Sequence, residues 1–505
     1  MSDISTIRQL LAAGQDDAIA ISAPGRASLT YKGLREHVEE TVSALNGQGI
    51  TRNDRVAIVL PNGCDMASAF VSIAAAATTA PLNPAYGQEE FNFYLSDLGA
   101  KVLLVEQGST SPALAAASDL GISILEIRAE ENAGSFRFVS SESTGNTSAV
   151  YAEPDDVALV LHTSGTTARP KIVPLSQRNV CASAGNICRT LALTLDDRCM
   201  NIMPLFHIHG LIATILATLS TGASVFCTPG FNALKFYAWL DEADPSWYSA
   251  VPTMHQAILA RASNNRDKIE EHSLRFIRSS SAPLPAQVMQ ELEDTFGVPV
   301  VEAYAMTEAS HQMTCNPLPP NKRKPGTVGI SAGPEVAIMN EAGELLPAGD
   351  TGEVVIRGSN VTSGYENNPA ANEECFTNGW FRTGDQGVMD NEGYLSITGR
   401  LKEIINRGGE KISPREVDDV LMDHPAVQQV VTFAMPDKKL GEEVAAAVVL
   451  REGIDASDQD IRKFASGRLA KFKVPRKILF LDEIPKGATG KLQRIGLADK
   501  LGLAG

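Results

Sequence analysis

The segment A-L-V-L-H-T-S-G-T-T-A-R-P-K-I-V-P-L, residues 158–175, joins a short apolar run directly to a loop of hydroxyl and cationic side chains. The aliphatic start is typical of a buried strand, and Gly165 marks the turn where that strand ends. The Ser and Thr hydroxyls, with Arg169 and Lys171 beside them, are groups that bind a polyphosphate together with backbone N–H groups. The loop matches neither the Walker pattern nor the GxGxxG fingerprint, so a polar surface turn explains this segment equally well when it is taken alone.

Short β-branched runs that end in Gly, Pro or Ser recur between helical stretches as far as Tyr304. Strands that alternate with helices predict parallel sheets covered by helices on both faces, with ligands bound beyond the carboxyl ends of the strands. An Ala-rich stretch at residues 66–81 is too short and too weakly apolar to cross a membrane, and we expect it to form a buried helix. The other β-branched runs cover residues 54–63, 101–105, 223–226, 274–281 and 299–304.

Past Pro325 the pattern changes to short strands separated by glycines, at residues 353–358 and 394–400. Because 505 residues are too many for one ordinary core, we expect an α/β protein of more than one domain. Residues 1–399 are predicted to form a large N-terminal domain of parallel-rich α/β subdomains with a small β-rich section, and residues 400–505 a small, mobile α+β domain. The elements predicted in this last unit are helices at 414–422 and 458–469 and strands at 427–433 and 443–450.

The composition excludes several classes of protein. Hydrophobic residues at 44% and charged residues at 21% are typical of a soluble globular chain, and a net charge of -16 argues against a nucleic-acid partner. The seven cysteines include no CxxC pair, which predicts reduced thiols, no cysteine metal site and a cytoplasmic location. We expect neither a secretory signal at the start of the chain nor a peroxisomal address at its end.

A second motif, V-E-A-Y-A-M-T-E-A-S-H at residues 301–311, follows an apolar strand. The ring of Tyr304 can stack on a purine, and Thr307 and Glu308 can meet a phosphate and its Mg²⁺, a hard cation that prefers carboxylate oxygen. The simpler interpretation is a strand end whose glutamate is only solvated.

Three more motifs follow in the last part of the chain. W-F-R-T-G-D, residues 380–385, places Asp385 after a glycine turn, where its carboxylate can accept hydrogen bonds from two ribose hydroxyls, although aspartates are common in turns. G-R-L-K-E-I-I-N-R-G-G-E-K-I-S-P covers residues 399–414, and P-K-G-A-T-G-K-L-Q-R covers residues 485–494. Taken alone, Lys491 in the last motif is explained equally well as a solvated lysine.

In this order the five motifs resemble the adenylate-forming superfamily of acyl-CoA synthetases, firefly luciferase and nonribosomal-peptide adenylation domains. The resemblance covers essentially the whole chain. Within the superfamily the sequence is most similar to the oxalate–CoA ligases, through phrases such as P-L-N-P-A-Y, L-F-H-I-H-G, W-Y-S-A-V-P-T-M-H-Q and L-R-F-I-R-S-S-S-A. The resemblance implies that a carboxylate attacks the α-phosphate of ATP in the presence of Mg²⁺, that pyrophosphate leaves, and that coenzyme A then displaces AMP from the acyl-adenylate.

The resemblance also implies a role for each motif. Lys491 would bridge the substrate carboxylate and the α-phosphate and stabilise charge that develops in the transition state. Thr307 and Glu308 would serve the α-phosphate and Mg²⁺, with Glu308 as the metal ligand. The residues implied to hold the polyphosphate, adenine and ribose are Thr163, Ser164, Gly165, Thr166, Thr167, Lys171, Ser281, Ala282, Pro283, Glu302, Ala303, Tyr304, Asp385 and Arg400.

By the same resemblance the C-terminal domain would swing about a hinge at Lys402 between the two half-reactions. Gly408 and Gly409, whose missing side chains leave room for the pantetheine arm, would then enter the site, although a hairpin turn also explains this pair. No carrier protein is expected as partner, because no carrier domain follows the last motif. One departure is Ala168, which stands where the family loop has glycine and predicts a stiffer loop.

The resemblance places a polar, histidine-rich group at the acyl pocket. Hydroxyls and imidazoles can hydrogen-bond a second carboxylate, so a small dicarboxylate such as oxalate is favoured, with His207 also expected to act in catalysis. A CoA ligase for malonate or an aryl acid such as coumarate is the alternative, and a nucleotide-binding module without activity is the third. His209 and His255 are expected to be core histidines. The predicted acyl-pocket residues are His207, Ser279, Ser280, Ser310 and His311.

Overall fold

The computed structural model describes residues 4–139, 148–163, 170–485, 492 and 494–503. Its strands are β1 (Ile19–Ser22), β2 (Leu29–Thr30), β3 (Arg55–Val59), β4 (Thr78–Pro81), β5 (Val102–Glu106), β6 (Ser123–Ala129), β7 (Phe136–Phe138), β8 (Val157–His162), β9 (Ile172–Ser176), β10 (Arg198–Asn201), β11 (Ser224–Cys227), β12 (Trp247–Ala250), β13 (Phe276–Ser280), β14 (Val300–Met306), β15 (His311–Cys315), β16 (Ile330–Ser331), β17 (Glu335–Met339), β18 (Thr351–Arg357), β19 (Phe376–Thr377), β20 (Trp380–Met389), β21 (Leu395–Arg400), β22 (Ile405–Arg407), β23 (Glu410–Ile412), β24 (Val427–Asp437), β25 (Gly441–Leu450) and β26 (Lys477–Phe480).

Its α-helices are α1 (Ile7–Leu10), α2 (Tyr31–Gly47), α3 (Cys64–Ala74), α4 (Gln88–Leu98), α5 (Ala113–Asp119), α6 (Gln177–Thr190), α7 (Ala217–Leu219), α8 (Phe236–Ala243), α9 (Pro252–Leu259), α10 (Arg266–Glu270), α11 (Ala286–Phe296), α12 (Pro369–Cys375), α13 (Pro414–Met422), α14 (Asp458–Ser466) and α15 (Leu497–Lys500). A π-helix covers His209–Leu216, and short 3-10 turns cover Leu11–Ala13, Ala262–Asn264, Thr307–Ala309 and Leu401–Glu403.

Two large sheets form the N-terminal part of the fold. One has the strand order β16-β15-β14-β13-β12-β10-β11-β1-β2 and the other β7-β6-β5-β3-β4-β8-β9, and in both the inner strands run parallel. The apolar faces of α2, α3 and α6 share one buried core with both sheets. The α/β prediction with parallel-rich subdomains is therefore confirmed.

The Ala-rich stretch differs from its prediction as a single helix. Helix α3 ends at Ala74, and Thr78–Pro81 forms β4 in the interior of the second sheet, between β3 and β8. The hydroxyls of Thr78 and Thr79 donate to the carbonyls of Val157 and Ala158 at 2.8 and 2.7 Å. The prediction was wrong for this part because two β-branched residues and a place in the sheet outweigh the helical preference of the alanines before them.

The remaining chain forms two smaller sheets. The order β17-β18-β20-β19, with β21 on β20, gives the β-rich section, and β23-β22-β25-β24, with β26 on β25, gives the last sheet. Helix α13 has the predicted bounds, whereas α14 ends at Ser466, three residues before its predicted end at Leu469. Sheet membership changes between Arg400 and Ile405, which fits the proposed boundary, although the division into domains stays a prediction.

Strands β8 and β14 lead into the first two of the five sequence motifs, and β13 leads into the predicted adenine wall. Ligands of parallel sheets bind beyond the carboxyl ends of the strands, where these segments begin. All seven cysteines are free. Within the described ranges, every helix is too short or too polar to cross a lipid bilayer.

Candidate active site

Asp385, Tyr304 and Arg400 come together where β20 meets β21. The register pairs Asp385 with Arg400, whose Nε donates to Asp385 Oδ1 at 2.9 Å, and the Tyr304 hydroxyl donates to Oδ2. Burial and the adjoining carboxylate raise the pKa of Tyr304 well above its ordinary value, so its phenol remains a donor. Each carboxylate oxygen has a second lone pair, so Asp385 is fixed in place and still able to accept ribose hydroxyls.

Glu308 lies at the start of the turn after β14 and is only 7% exposed. The Tyr365 hydroxyl donates to Glu308 Oε1 at 2.7 Å, and the Lys171 ammonium lies 4.3 Å from the centroid of the Tyr365 ring. Burial raises the pKa of Glu308, and the hydrogen bond from Tyr365 opposes this rise. One tyrosine therefore contacts a residue from each of the first two motifs.

Tyr365 ends a segment, residues 360–365, that connects the turn after β14 to strand β9. Asn360 Nδ2 donates to the Ala309 carbonyl at 2.8 Å, the Thr362 N–H donates to the Glu308 carbonyl at 2.7 Å, and the Thr362 hydroxyl donates to the Pro174 carbonyl at 2.8 Å. This segment was not predicted from the sequence. Its signal is the tyrosine that directly follows Gly364, a glycine with a φ of 140°, inside an otherwise polar turn.

Thr163 and Lys171 close the base of the predicted phosphate loop. The Thr163 N–H donates to the Lys171 carbonyl at 2.9 Å, and the Lys171 N–H donates to the Thr163 hydroxyl at 3.2 Å. Just before the loop, His162 Nε2 lies 3.0 Å from Asp97 Oδ2. The other predicted residues of this loop and the predicted catalytic lysine lie outside the described residues: Ser164, Gly165, Thr166, Thr167 and Lys491.

The predicted adenine wall follows β13, with Ser281 at a φ of 73° and then Ala282 and Pro283. Glu302 supports this turn from the next strand, since its Oε1 accepts a 2.9 Å hydrogen bond from the Leu284 N–H. Burial raises the pKa of Glu302 to about 7. Ala303 contributes its backbone carbonyl, which accepts a 2.9 Å hydrogen bond from the hydroxyl of Ser280. Glu302 therefore holds the wall in shape, and its contact with the nucleotide stays a prediction.

Behind this turn the structure brings histidines and hydroxyls together. His209 Nδ1 lies 3.1 Å from Ser281 Oγ, and His209 Nε2 lies 2.6 Å from Ser249 Oγ. The rings of His209 and His311 lie 4.9 Å apart, and the half-buried His207 accepts a 3.4 Å hydrogen bond from the His209 N–H. His209, expected to be a core residue, is buried yet connects to the partly exposed Ser281.

The other predicted acyl-pocket residues do not all lie in this group of histidines and hydroxyls. Ser310 and His311 are fully buried and have positive φ angles of 49° and 106°. Alternation along β13 places Ser279 on the face opposite Ser280. His255 contacts Tyr248 at 3.4 Å in the core, and burial lowers its pKa to about 3, as expected of a neutral core histidine.

Arg278 was not predicted as a functional residue, although it lies in the segment L-R-F-I-R-S-S-S-A at residues 274–282. It sits in the middle of β13, is fully buried, and donates to Ser249 Oγ at 3.2 Å and to Gln312 Oε1 at 3.1 Å. A lone charged residue inside a strand whose other residues are all buried is the signal that could have found it.

The hinge and glycine motif begins the C-terminal sheet. Lys402 lies in the 3-10 turn between β21 and β22, and Gly408 and Gly409 form the turn between β22 and β23 with φ angles of 58° and 98°. The Gly408 N–H donates to the Leu440 carbonyl at 2.8 Å. The hairpin interpretation therefore holds, and the role of this turn with coenzyme A stays a prediction.

The donor set suits Mg²⁺ brought in with ATP. The Glu308 carboxylate and the adjacent Thr307 hydroxyl are hard oxygen ligands, and among the described residues no group of three His, Cys, Asp or Glu is placed to hold a metal alone. Mg²⁺ usually keeps one or two carboxylates and completes its shell with phosphates and water. The site therefore fits a metal that is shared with a polyphosphate.

The comparisons with known proteins agree with this geometry. The family model described as AMP-binding enzyme matches residues 9–366, and the one described as AMP-binding enzyme C-terminal domain matches residues 416–491. The chain is 47% identical to an oxalate–CoA ligase of Arabidopsis thaliana, over 95% of this chain and 94% of that protein. It is 45% identical to an oxalate–CoA ligase of Saccharomyces cerevisiae, over 96% of this chain and 94% of the relative.

Among solved structures, the ATP-bound form of MatB from Rhodopseudomonas palustris superposes with a TM-score of 0.89 at 28% identity, covering 98% of each chain. Both the family models and the relatives span nearly the full length of this protein. The chain belongs to the AMP-binding enzyme family.

Proposed function

We propose that the protein is an ATP-dependent, AMP-forming acyl-CoA ligase that converts oxalate, ATP and coenzyme A to oxalyl-CoA, AMP and diphosphate. The observation that carries the proposal is the convergence of Lys171, Tyr365 and Glu308 near the loop that resembles a phosphate clamp. Asp385 and Arg400, paired on neighbouring strands, add the acceptor that a ribose needs.

In the first half-reaction a carboxylate oxygen of the acid attacks the α-phosphorus of ATP, and the bond to pyrophosphate breaks. We propose that Lys171 binds the departing phosphates and that Glu308 would hold the metal that shields them. Mg²⁺ supplies charge neutralisation at the reacting phosphates. Lys491, outside the described residues, is proposed to stabilise the charge that develops between the carboxylate and the α-phosphate.

In the second half-reaction the thiol of coenzyme A attacks the acyl carbon, and the carbon–oxygen bond to AMP breaks. A free carboxylate is a poor electrophile, so the first step is needed to attach a good leaving group. We place the turn at Gly408 and Gly409 at the pantetheine arm after rotation of residues 400–505 about Lys402, an assignment that rests on the family resemblance.

The choice of oxalate is supported by two relatives that bear this name and by the residues behind the adenine wall. His207, His209 and Ser281 offer polar groups to a very small acid, whereas an aryl acid needs an apolar pocket. We further propose a cytoplasmic location, which the free cysteines support. Neither nucleic acid nor a carrier protein is part of the proposal.

The test is a panel of acids given with ATP, Mg²⁺ and coenzyme A, with AMP release and thioester mass as readouts. Oxalate is expected to give the highest kcat/KM, followed by malonate, acetate and coumarate. A higher kcat/KM for malonate or coumarate than for oxalate would contradict the substrate assignment. Absence of acid-dependent AMP release with every member would contradict the ligase itself.

A further inference from the structure

Arg278 carries a positive charge in the interior of the first large sheet. Its side chain is fully buried, and its Nη2 bonds to the neutral amide oxygen of Gln312. Within the parts of the chain that the structure describes, its Nε has no hydrogen-bond partner and no carboxylate forms an ion pair with it. A buried charge in this situation is unfavourable unless an anion lies within electrostatic reach.

The guanidinium is ionised at neutral pH. Burial lowers the pKa of Arg278, but only to about 10. The thiols of Cys199 and Cys315, which lie near it, cannot serve as counterions, because burial raises the pKa of both, in the case of Cys315 to about 11. The positive charge is therefore not neutralised by these neighbours.

A chain of hydrogen bonds leads from this charge toward the candidate acyl pocket. Arg278 Nη1 donates to Ser249 Oγ at 3.2 Å, Ser249 Oγ lies 2.6 Å from His209 Nε2, and His209 Nδ1 lies 3.1 Å from Ser281 Oγ. Ser281 is partly exposed and begins the turn after β13. The charge is thus connected, through these three side chains, to the cleft beside this turn, where the acid is proposed to bind.

Arg278 fixes which atom donates in each hydrogen bond of this series. A guanidinium can only donate, so Ser249 accepts from Arg278 and turns its own hydrogen to His209 Nε2. Arg278 Nη1 also faces Nε2 at 3.5 Å, which again favours an unprotonated Nε2. His209 then carries its hydrogen on Nδ1 and donates to Ser281. The Ser281 hydroxyl is left with its hydrogen for a group in the cleft, and successive donors polarise one another.

We propose that Arg278 is a specificity-determining residue that favours acids with a second negative charge, acting through Ser249, His209 and Ser281. This proposal rests on the proposed function, since the cleft is the acyl pocket of that reaction. The Ser281 hydroxyl donates to the distal carboxylate, and the guanidinium supplies the positive charge behind it. A neutral group of the same shape, in place of the distal carboxylate, is not attracted by the positive charge of Arg278.

Oxalate and oxamate provide the test, because they have nearly the same shape and differ by one negative charge. The variant Arg278→Met removes the charge at similar length, and Ser281→Ala removes the final donor. Arg275→Met is the matched control, since Arg275 lies just before β13 and pairs with Asp197 away from the cleft. Pyrophosphate release without coenzyme A is measured for both acids, with the inhibition constant of oxamate against oxalate where oxamate does not react.

Loss of a hydrogen bond or charge contact to a carboxylate is expected to lower kcat/KM for oxalate by about 10- to 100-fold in Arg278→Met and in Ser281→Ala. In Arg278→Met the value for oxamate should change by less than about threefold, and the KM for ATP should stay the same. Arg278→Lys should recover part of the preference. Arg275→Met should keep the wild-type ratio of oxalate to oxamate.

An unchanged ratio in Arg278→Met would overturn the role of Arg278, as would an equal loss for the two acids. If Arg278→Met does not fold, an unchanged ratio in Ser281→Ala would overturn it. Wild-type protein that releases no pyrophosphate with oxalate would instead contradict the proposed function, so the two failures are distinguishable.

Discussion

Replacing Tyr365 by phenylalanine removes one hydroxyl and leaves the ring below the Lys171 ammonium. In the wild-type protein that hydroxyl donates to Glu308 at 2.7 Å, and both side chains are 7% exposed. A hydrogen bond to a buried charged group contributes about 1.5–3 kcal/mol. We therefore expect kcat/KM for ATP to fall by about 10- to 150-fold, with a higher Mg²⁺ concentration needed for half-maximal rate.

The direction of the pH dependence follows from the same contact. Burial raises the pKa of Glu308, and Tyr365 opposes this by stabilising the ionised carboxylate. Without the hydroxyl the pKa rises further, so the acidic limb of the rate profile should move to higher pH. The defect should accordingly be larger on the acidic side of neutrality than on the alkaline side.

The assay is oxalate-dependent pyrophosphate release without coenzyme A, measured against Mg²⁺ and pH. Tyr394→Phe is the matched control, because the Tyr394 ring lies 4.2 Å from the Lys324 ammonium and its hydroxyl donates to the Lys322 carbonyl, away from the site. It should keep wild-type ATP kinetics. Wild-type kinetics and an unshifted profile in Tyr365→Phe would refute the reasoning, and so would an equal loss in thioester formation from supplied acyl-adenylate.

Two further outcomes are expected. Lys491→Ala should abolish adenylation yet still convert supplied oxalyl-adenylate to the thioester, and stopped-flow measurement of equal losses in both steps would count against the assignment. Glu302→Gln keeps an acceptor for Leu284 but cannot ionise. The raised pKa of Glu302 contributes stability below its unfolded value near 4.5 that is lost as pH rises through about 7, so denaturant unfolding should show a loss of about 3 kcal/mol in the wild type that the variant lacks. The same pH dependence of the unfolding free energy in both proteins would contradict the raised pKa of Glu302.

The sequence was enough to predict an element where neighbouring residues alone determine its conformation. Helix α13 has its predicted bounds because Ser413 caps it and Pro414 fits its first turn. Strand β4 was missed because its place between two other strands, together with its two threonines, outweighs the helical preference of the alanines before it. The motif residues Asp385 and Arg400 came from a resemblance, and the register of β20 and β21 then explains why they meet.

Tyr365 and Arg278 were not predicted because their partners lie far away in the sequence. Tyr365 reaches Glu308 across 57 positions, and Arg278 reaches Gln312 across 34. No local periodicity encodes such pairs, since each is created by neighbouring strands and turns of the tertiary fold. A charged residue in an apolar strand and a tyrosine that directly follows a glycine in a polar segment are nevertheless visible in a sequence.

The central claim, an AMP-forming route through an oxalyl-adenylate, is tested most directly with oxalate labelled with ¹⁸O. When the carboxylate oxygen attacks the α-phosphorus and the thiol later breaks the carbon–oxygen bond, one labelled oxygen stays on the phosphate of AMP. Mass spectrometry should therefore find one ¹⁸O in each AMP formed together with oxalyl-CoA. Unlabelled AMP, or label in inorganic phosphate, would contradict the mechanism.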